Sequence, residues 1–202
     1  MPTSMPRTEF IALMAMLAAT VALSIDAMLP ALPAIGAALS PDDLNRAQLI
    51  ITSFVLGMGL GTFVAGPLSD TFGRKPVMLY GAAIYTVGAF MASKAETIEV
   101  MIMARVLQGL GASGPRVVAM AVIRDLYAGR GMAKILSFTM LIFALVPAIA
   151  PLIGSVIIDL SGWRAVFYAF IVFSAISALW LALRLPETLA PENRRPFRAK
   201  AL

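Results

Sequence analysis

Six long apolar runs restrict the fold of this sequence more than any other feature. They cover residues 10–32, 48–68, 76–93, 98–122, 135–158 and 166–183. A helix needs about 20 residues to cross roughly 30 Å of hydrocarbon, and backbone polar groups in lipid must pair within the segment. The sequence therefore predicts an all-α polytopic membrane protein whose six transmembrane helices form a bundle over residues 1–185.

The composition agrees with a membrane protein and argues against several other functions. Hydrophobic residues make up 60% of the 202 residues and charged residues 13%, against about 45–50% and 25% in soluble domains. The absence of Cys and His excludes disulfides, thiol catalysis and the usual zinc sites, so proton chemistry has to use a carboxylate. No catalytic set is evident, and we expect neither an enzyme nor a bound cofactor. The basic residues lie in short loops, which indicates membrane topology and no nucleic-acid partner.

The loop charges predict the orientation of the bundle. With the N-terminus inside, eleven Lys and Arg residues fall in inside segments, and three (Arg46, Lys94 and Arg164) fall outside. Because basic residues favour the cytoplasmic side, we expect both termini in the cytoplasm. Residues 186–202 are rich in proline and basic residues and are expected to form a cytoplasmic linker. The chain ends where a second bundle would be expected to begin.

Apart from Glu99 at the very start of the fourth run, three charged residues fall inside the apolar runs, where a charge costs about 2.5–3.5 kcal/mol on insertion scales. Asp26 lies late in the first run, just before two prolines that predict a bend or break. Arg105 lies at a similar depth in the fourth run, so a pair with Asp26 is geometrically possible. Arg116 shares a helix side with Arg105, and Gln108 lies beside them. These four residues form a candidate proton or substrate pathway; the alternatives are a hydrated Asp26 and arginines that snorkel to the surfaces.

Two further patterns concern the walls of such a pathway. Pro147, Pro151 and Gly154 in the fifth run favour a helix that flexes as a cavity opens and closes, although kinks are common in membrane helices. Methionines adapt to ligands of varied shape, so they suit the walls of a drug pathway unless they face lipid. The candidates are Met14, Met16, Met28 and Met58.

The segment 66–76 reads Gly-Pro-Leu-Ser-Asp-Thr-Phe-Gly-Arg-Lys-Pro and resembles the cytoplasmic signature of the major facilitator superfamily, G-x-L-x-D-R-x-G-R-K. Six of seven positions match, and Thr71 stands where the family usually has Arg. Gly73 permits a tight turn, Asp70 can accept from a helix N-terminus and Arg74 can reach a carboxylate. The resemblance implies a conformational-switch loop that latches two halves of a transporter, with Asp125 as the partner within this half. The switch-loop residues are Gly66, Asp70, Gly73, Arg74, Lys75 and Asp125.

Three other segments carry the same resemblance. Residues 105–112 resemble the fourth-helix signature R-x-x-Q-G-x-G-A, whose Arg is implicated in proton coupling in related antiporters. Residues 147–154 are similar to the fifth-helix antiporter signature, and residues 25–33 to the first helix of the Bcr/CflA drug-resistance subfamily. The resemblance implies the N-terminal six-helix half, with a 3+3 inverted repeat, of a bacterial inner-membrane exporter driven by the proton motive force.

The resemblance also implies the partners and leaves alternatives open. Substrates would be small hydrophobic drugs such as bicyclomycin-like antibiotics, chloramphenicol-like drugs or sulfonamides, exchanged for protons. A C-terminal six-helix half or a second copy of the chain would complete the cavity. The alternatives are a facilitator for another small metabolite and a truncated half that does not transport.

Overall fold

The computed structural model describes residues 5–194, and every regular element in that range is helical. The α-helices are α1 (Arg7–Asp26), α2 (Leu32–Leu39), α3 (Leu49–Phe72), α4 (Arg74–Ser93), α5 (Ile98–Leu126), α6 (Gly129–Ser161) and α7 (Arg164–Arg184). Short 3₁₀ turns cover Leu29–Ala31, Leu44–Gln48 and Pro191–Asn193. Six helical segments are long and apolar enough to cross a membrane, with α1 and α2 together forming the first. The predicted fold class is confirmed, and residues 195–202 of the expected linker lie outside the described range.

Two of the polar segments between the predicted spans are mostly helical. In the segment 69–75 only Gly73 separates α3 from α4, and in the segment 124–134 only residues 127 and 128 separate α5 from α6. An apolar run marks only the part of a helix that lies in lipid. The helix itself continues beyond that run into segments with polar side chains. Gly73 makes the abrupt turn because its φ of 104° is a conformation that favours glycine.

The first span is broken, as its two prolines predict. The helix α1 ends at Asp26, and Pro30 and Pro33 stand at the starts of the 3₁₀ turn and of α2. Proline has no N–H group, so it cannot extend the hydrogen-bond ladder of α1 but fits the first turn of a new helix. The break leaves a short hydrogen-bonded turn, Ala27 and Met28, directly after Asp26.

The helices pack in a pattern that fits an inverted repeat. The helix α5 packs against α3 and α4, while α1 packs against α6 and α7. If the first three spans are matched to the last three, the α3–α5 pair corresponds to α6–α1 and the α4–α5 pair to α7–α1. The helices α1, α4 and α6 begin, and α3, α5 and α7 end, at one end of the bundle, which we call the basic end.

Two glycines of α5 allow its close approach to both neighbours. A Cβ atom at Gly109 would collide with the Phe54 carbonyl oxygen of α3, and one at Gly111 would collide with the Tyr85 nitrogen of α4. Small residues permit such backbone contact between membrane helices. The approach places side chains of α1, α3 and α4 around the half of α5 that lies away from the basic end.

Candidate transport pathway and switch loop

Arg105 is fully buried between three helices and is surrounded by neutral groups. Its Nε donates to the Ile50 carbonyl oxygen at 3.2 Å, its Nη2 to the Ser24 carbonyl oxygen at 2.9 Å and its Nη1 to Gln108 Oε1 at 2.7 Å. The guanidinium carbon also lies 4.4 Å from the centroid of the Phe54 ring, close enough for a cation–π contact. A buried cation is therefore held in a precise position with no carboxylate among its partners in residues 5–194.

Asp26 lies at the depth expected for it but does not pair with Arg105. Arg105 binds the backbone of Ser24, two residues earlier on α1. Two residues turn a helix by about 200°, so a contact with Ser24 leaves the Asp26 side chain on another side of α1. Asp26 is half-buried and has no ion pair or side-chain hydrogen bond to another residue of the described range. The equal depth agrees with the prediction, whereas direct pairing is not present in this structure.

The predicted antiporter-type helix reaches the break beside Asp26. The helix α6 continues through Pro147 and Pro151, and a Cβ atom at Gly154 would collide with the Ala27 carbonyl oxygen. Ala27 directly follows Asp26. Gly154 has no side chain, so the backbones of α6 and of the end of α1 are in direct contact at this point. A movement of α6 here would therefore displace the end of α1.

Arg116 lies apart from the buried Arg105. It is exposed, and its Nη1 lies 3.3 Å from Met58 Sδ. Eleven residues separate the two arginines by about 16 Å along α5. They share one side of the helix but are too far apart to form one site.

The expectation that methionines line the pathway is partly wrong, because Met14 and Met28 are fully buried in the core. Helix periodicity cannot tell which of two apolar neighbours a methionine faces.

The switch loop forms an ion-pair network at the basic end. Arg74 is 8% exposed, and its Nε donates to Asp125 Oδ2 at 3.0 Å. Its Nη1 donates to Asp70 Oδ1 at 2.5 Å and to Ser69 Oγ at 2.7 Å. The end of α3, the start of α4 and the end of α5 are therefore joined through one guanidinium group, and the expected partner Asp125 lies against it.

Glu187, which the sequence reasoning missed, caps the start of α4. Its Oε1 accepts from the Arg74 backbone N–H at 2.9 Å, and its Oε2 accepts from the Lys75 backbone N–H at 3.1 Å. Lys75 also donates its Nζ to the Ala182 carbonyl oxygen at 2.7 Å. The expectation that Asp70 accepts from a helix N-terminus is wrong, because Asp70 accepts from Arg74 instead. The sequence did contain one signal for this cap, an acidic residue just after the last span. A carboxylate binds favourably at a helix N-terminus, and the start of α4 lies at the same end of the bundle.

Tyr85 is the second residue that the sequence reasoning missed. It is 2% exposed, and its hydroxyl lies 2.6 Å from Ser24 Oγ on α1. The neighbouring amide nitrogen of Gln108 is buried without a hydrogen-bond partner in the described range. A tyrosine within an apolar run carries no signal of its partner, because the contact depends on how α4 and α1 pack.

Two cavities lie outside the predicted pathway. The larger, about 610 Å³, lies between α3, α4 and α5 and is lined mainly by apolar side chains such as Val64, Leu68 and Leu110. The smaller, about 370 Å³, lies at the basic end beside Arg7 and Lys134. None of the four predicted pathway residues lines either cavity.

Comparisons with known proteins identify the family. The family profile described as Major Facilitator Superfamily matches residues 13–201. The chain is 34% identical to the uncharacterized MFS-type transporter YdgK of Bacillus subtilis, covering 96% of this chain and 49% of that protein. It is 38% identical to a chloramphenicol resistance protein of Pseudomonas aeruginosa, covering 82% of this chain and 40% of that protein.

Solved structures agree at the level of the fold. The inward-open xylose transporter XylE of E. coli superposes with a TM-score of 0.76 at 13% identity, covering 90% of this chain and 48% of that one. The chain thus spans about half the length of the curated relatives it matches. With a family match over nearly its whole length, the chain belongs to the major facilitator superfamily, a family of membrane transporters.

Proposed function

We propose that this chain forms the N-terminal half of a proton-coupled exporter of hydrophobic drugs that works by alternating access in the bacterial inner membrane. Two relatives support the substrate class: the chloramphenicol resistance protein and a bicyclomycin resistance protein homolog of Haemophilus influenzae, 33% identical over 76% of this chain and 39% of that protein. The excess of basic residues at one end supports cytoplasmic termini.

The observation that carries the proposal is a buried cation at the depth of a carboxylate that has no ion pair within the described part of the chain. Among residues 5–194, Arg105 is bound only by neutral acceptors, and Asp26 stands two residues beyond one of them, at the end of α1. Charges inside membrane segments are expensive and mark ion or proton pathways. The Arg105 cation has no bound anion in that range, so it stabilises the ionised form of the nearby Asp26. In this proposal Asp26 therefore alternates between an ionised form and a protonated form.

Proton entry and drug exit are then linked through the end of α1. A proton arriving from outside neutralises Asp26 and ends its attraction to the Arg105 cation. The broken segment after Asp26 shifts, and α6 moves with it through the contact of Gly154 with Ala27. The drug leaves outward as the proton enters, and the proton is released inward when the cavity faces the cytoplasm.

A second six-helix bundle would supply the other wall of the cavity. The helix α6 is the most exposed span, and its outward side carries large apolar residues such as Leu145, Ile149 and Leu152. Such a surface suits lipid or another membrane helix. In this arrangement the network around Arg74 holds the basic end together in one state and opens in the other.

The test compares Asp26→Asn with Asp42→Asn, an exposed acidic residue in the turn before α3. Membrane vesicles containing each protein are energised, and proton movement is recorded on addition of chloramphenicol or bicyclomycin. We expect wild type and Asp42→Asn to exchange protons for drug and Asp26→Asn to lose the exchange while still inserting.

Two outcomes would contradict the proposal. Exchange by Asp26→Asn at the wild-type rate would remove Asp26 from the proton pathway. Failure of both drugs to move protons in wild-type vesicles would favour a facilitator for another metabolite or a half that does not transport.

A further inference from the structure

Tyr85 reaches from α4 across the interior to the last turn of α1. Its hydroxyl lies 2.6 Å from Ser24 Oγ, and Tyr85 and Ser24 are 2% and 0% exposed. The Ser24 hydroxyl donates to the Thr20 carbonyl oxygen at 2.6 Å. A serine has one hydroxyl hydrogen and a carbonyl oxygen can only accept, so Tyr85 is the donor in its bond to Ser24.

The same serine supports Arg105 through its backbone. The Ser24 carbonyl oxygen accepts from Arg105 Nη2 at 2.9 Å, while the Ser24 side chain accepts from Tyr85. Tyr85 on α4 therefore holds the side chain of Ser24, and Arg105 on α5 holds its backbone. Asp26 follows two residues later, where α1 ends.

From this geometry we propose that Tyr85 is a positioning residue for proton coupling, an inference that rests on the proposed function. The hydroxyl of Tyr85 holds Ser24, and Ser24 holds both the Arg105 cation and the end of α1 that carries Asp26. The cation and the end of α1 are then held in a defined relative position, from which the segment after Asp26 can move. Tyr85 itself touches neither the proton nor the drug.

Close helix packing supports this role. A Cβ atom at Gly111 would collide with the Tyr85 nitrogen, so α4 lies against α5 at the level of the tyrosine. The ring itself is buried in the interior. Removing the hydroxyl alone keeps the ring volume and leaves the Ser24 bond to Thr20 intact, so Tyr85→Phe removes one contact.

The experiment measures protons moved per drug molecule with the native transporter in energised vesicles and labelled chloramphenicol. We expect Tyr85→Phe and Ser24→Ala each to lower this ratio at least two-fold, and the double variant to be no worse than the worse single variant, because both break the same hydrogen bond. The matched control is Tyr80→Phe, since Tyr80 is 72% exposed on the same helix. We expect it to keep the wild-type ratio.

Several outcomes would overturn the inference while leaving the proposed function intact. One such outcome is that Tyr85→Phe keeps the wild-type ratio of protons to drug while Asp26→Asn loses coupling. Proton and drug fluxes that fall in parallel, together with a lower unfolding temperature, would show a purely structural role. Additive effects of Tyr85→Phe and Ser24→Ala would show that the two side chains act separately. Coupling that survives in Asp26→Asn would instead contradict the proposed function itself.

Discussion

Replacing Glu187 by Ala tests whether the segment after α7 is an integral part of the switch loop. The carboxylate accepts from the backbone N–H groups of Arg74 and Lys75, at 2.9 and 3.1 Å, and from those of Thr188 and Leu189, both at 3.0 Å. It therefore caps the first turn of α4 with a negative charge and orders its own turn. Both effects stabilise the folded basic end.

The magnitude follows from the contacts that Glu187→Ala removes. Loss of a side-chain cap costs about 0.5–2 kcal/mol, and the favourable charge at a helix N-terminus contributes about 0.3–1 kcal/mol. Glu187 is half-buried, so solvent replaces part of what is lost. We expect a net loss of about 1–2 kcal/mol, which corresponds to roughly 2–8 °C in unfolding temperature for a chain of this size.

The assay is thermal unfolding of the purified transporter in detergent, followed by the fluorescence of its tryptophans. Glu192→Ala is the matched control, because Glu192 is exposed in the same tail segment and has no ion pair within residues 5–194. Glu187→Gln keeps the shape and one acceptor oxygen and should fall between Ala and wild type. Equal unfolding temperatures for Glu187→Ala and Glu192→Ala would refute the assigned cap.

Two further predictions concern the packing of the bundle and the switch loop. Gly111→Ala should destabilise the protein by about 1–3 kcal/mol, because the added Cβ collides with the α4 backbone, whereas Gly59→Ala has open space and should be neutral or stabilising in the same unfolding assay. Asp125→Asn should cost about 1–2 kcal/mol, because it removes the charge paired with the buried Arg74 while Asp70 remains. An unchanged unfolding temperature for Asp125→Asn would show that the ion pair adds no stability.

Local chemistry accounts for most of what could be predicted. The six spans follow from the length of the apolar runs, and the break after Asp26 follows from two prolines that cannot extend a helix. The depth shared by Asp26 and Arg105 follows from the rise per residue along two antiparallel helices, and the contact of Arg105 with Ser24 agrees with it. Each of these depends on properties that are periodic or local along the chain.

The sequence by itself determined the membrane class, the number of spans, the break in the first span and the loop that carries Arg74. Only the tertiary structure decided that Arg105 binds carbonyl oxygens instead of Asp26, that Tyr85 holds Ser24 and that Glu187 caps α4. The physical reason is that residue spacing sets the depth and relative angle of side chains on one helix. The rotation of one helix against another, which selects their partners, depends on close contacts such as that of Gly111 with α4.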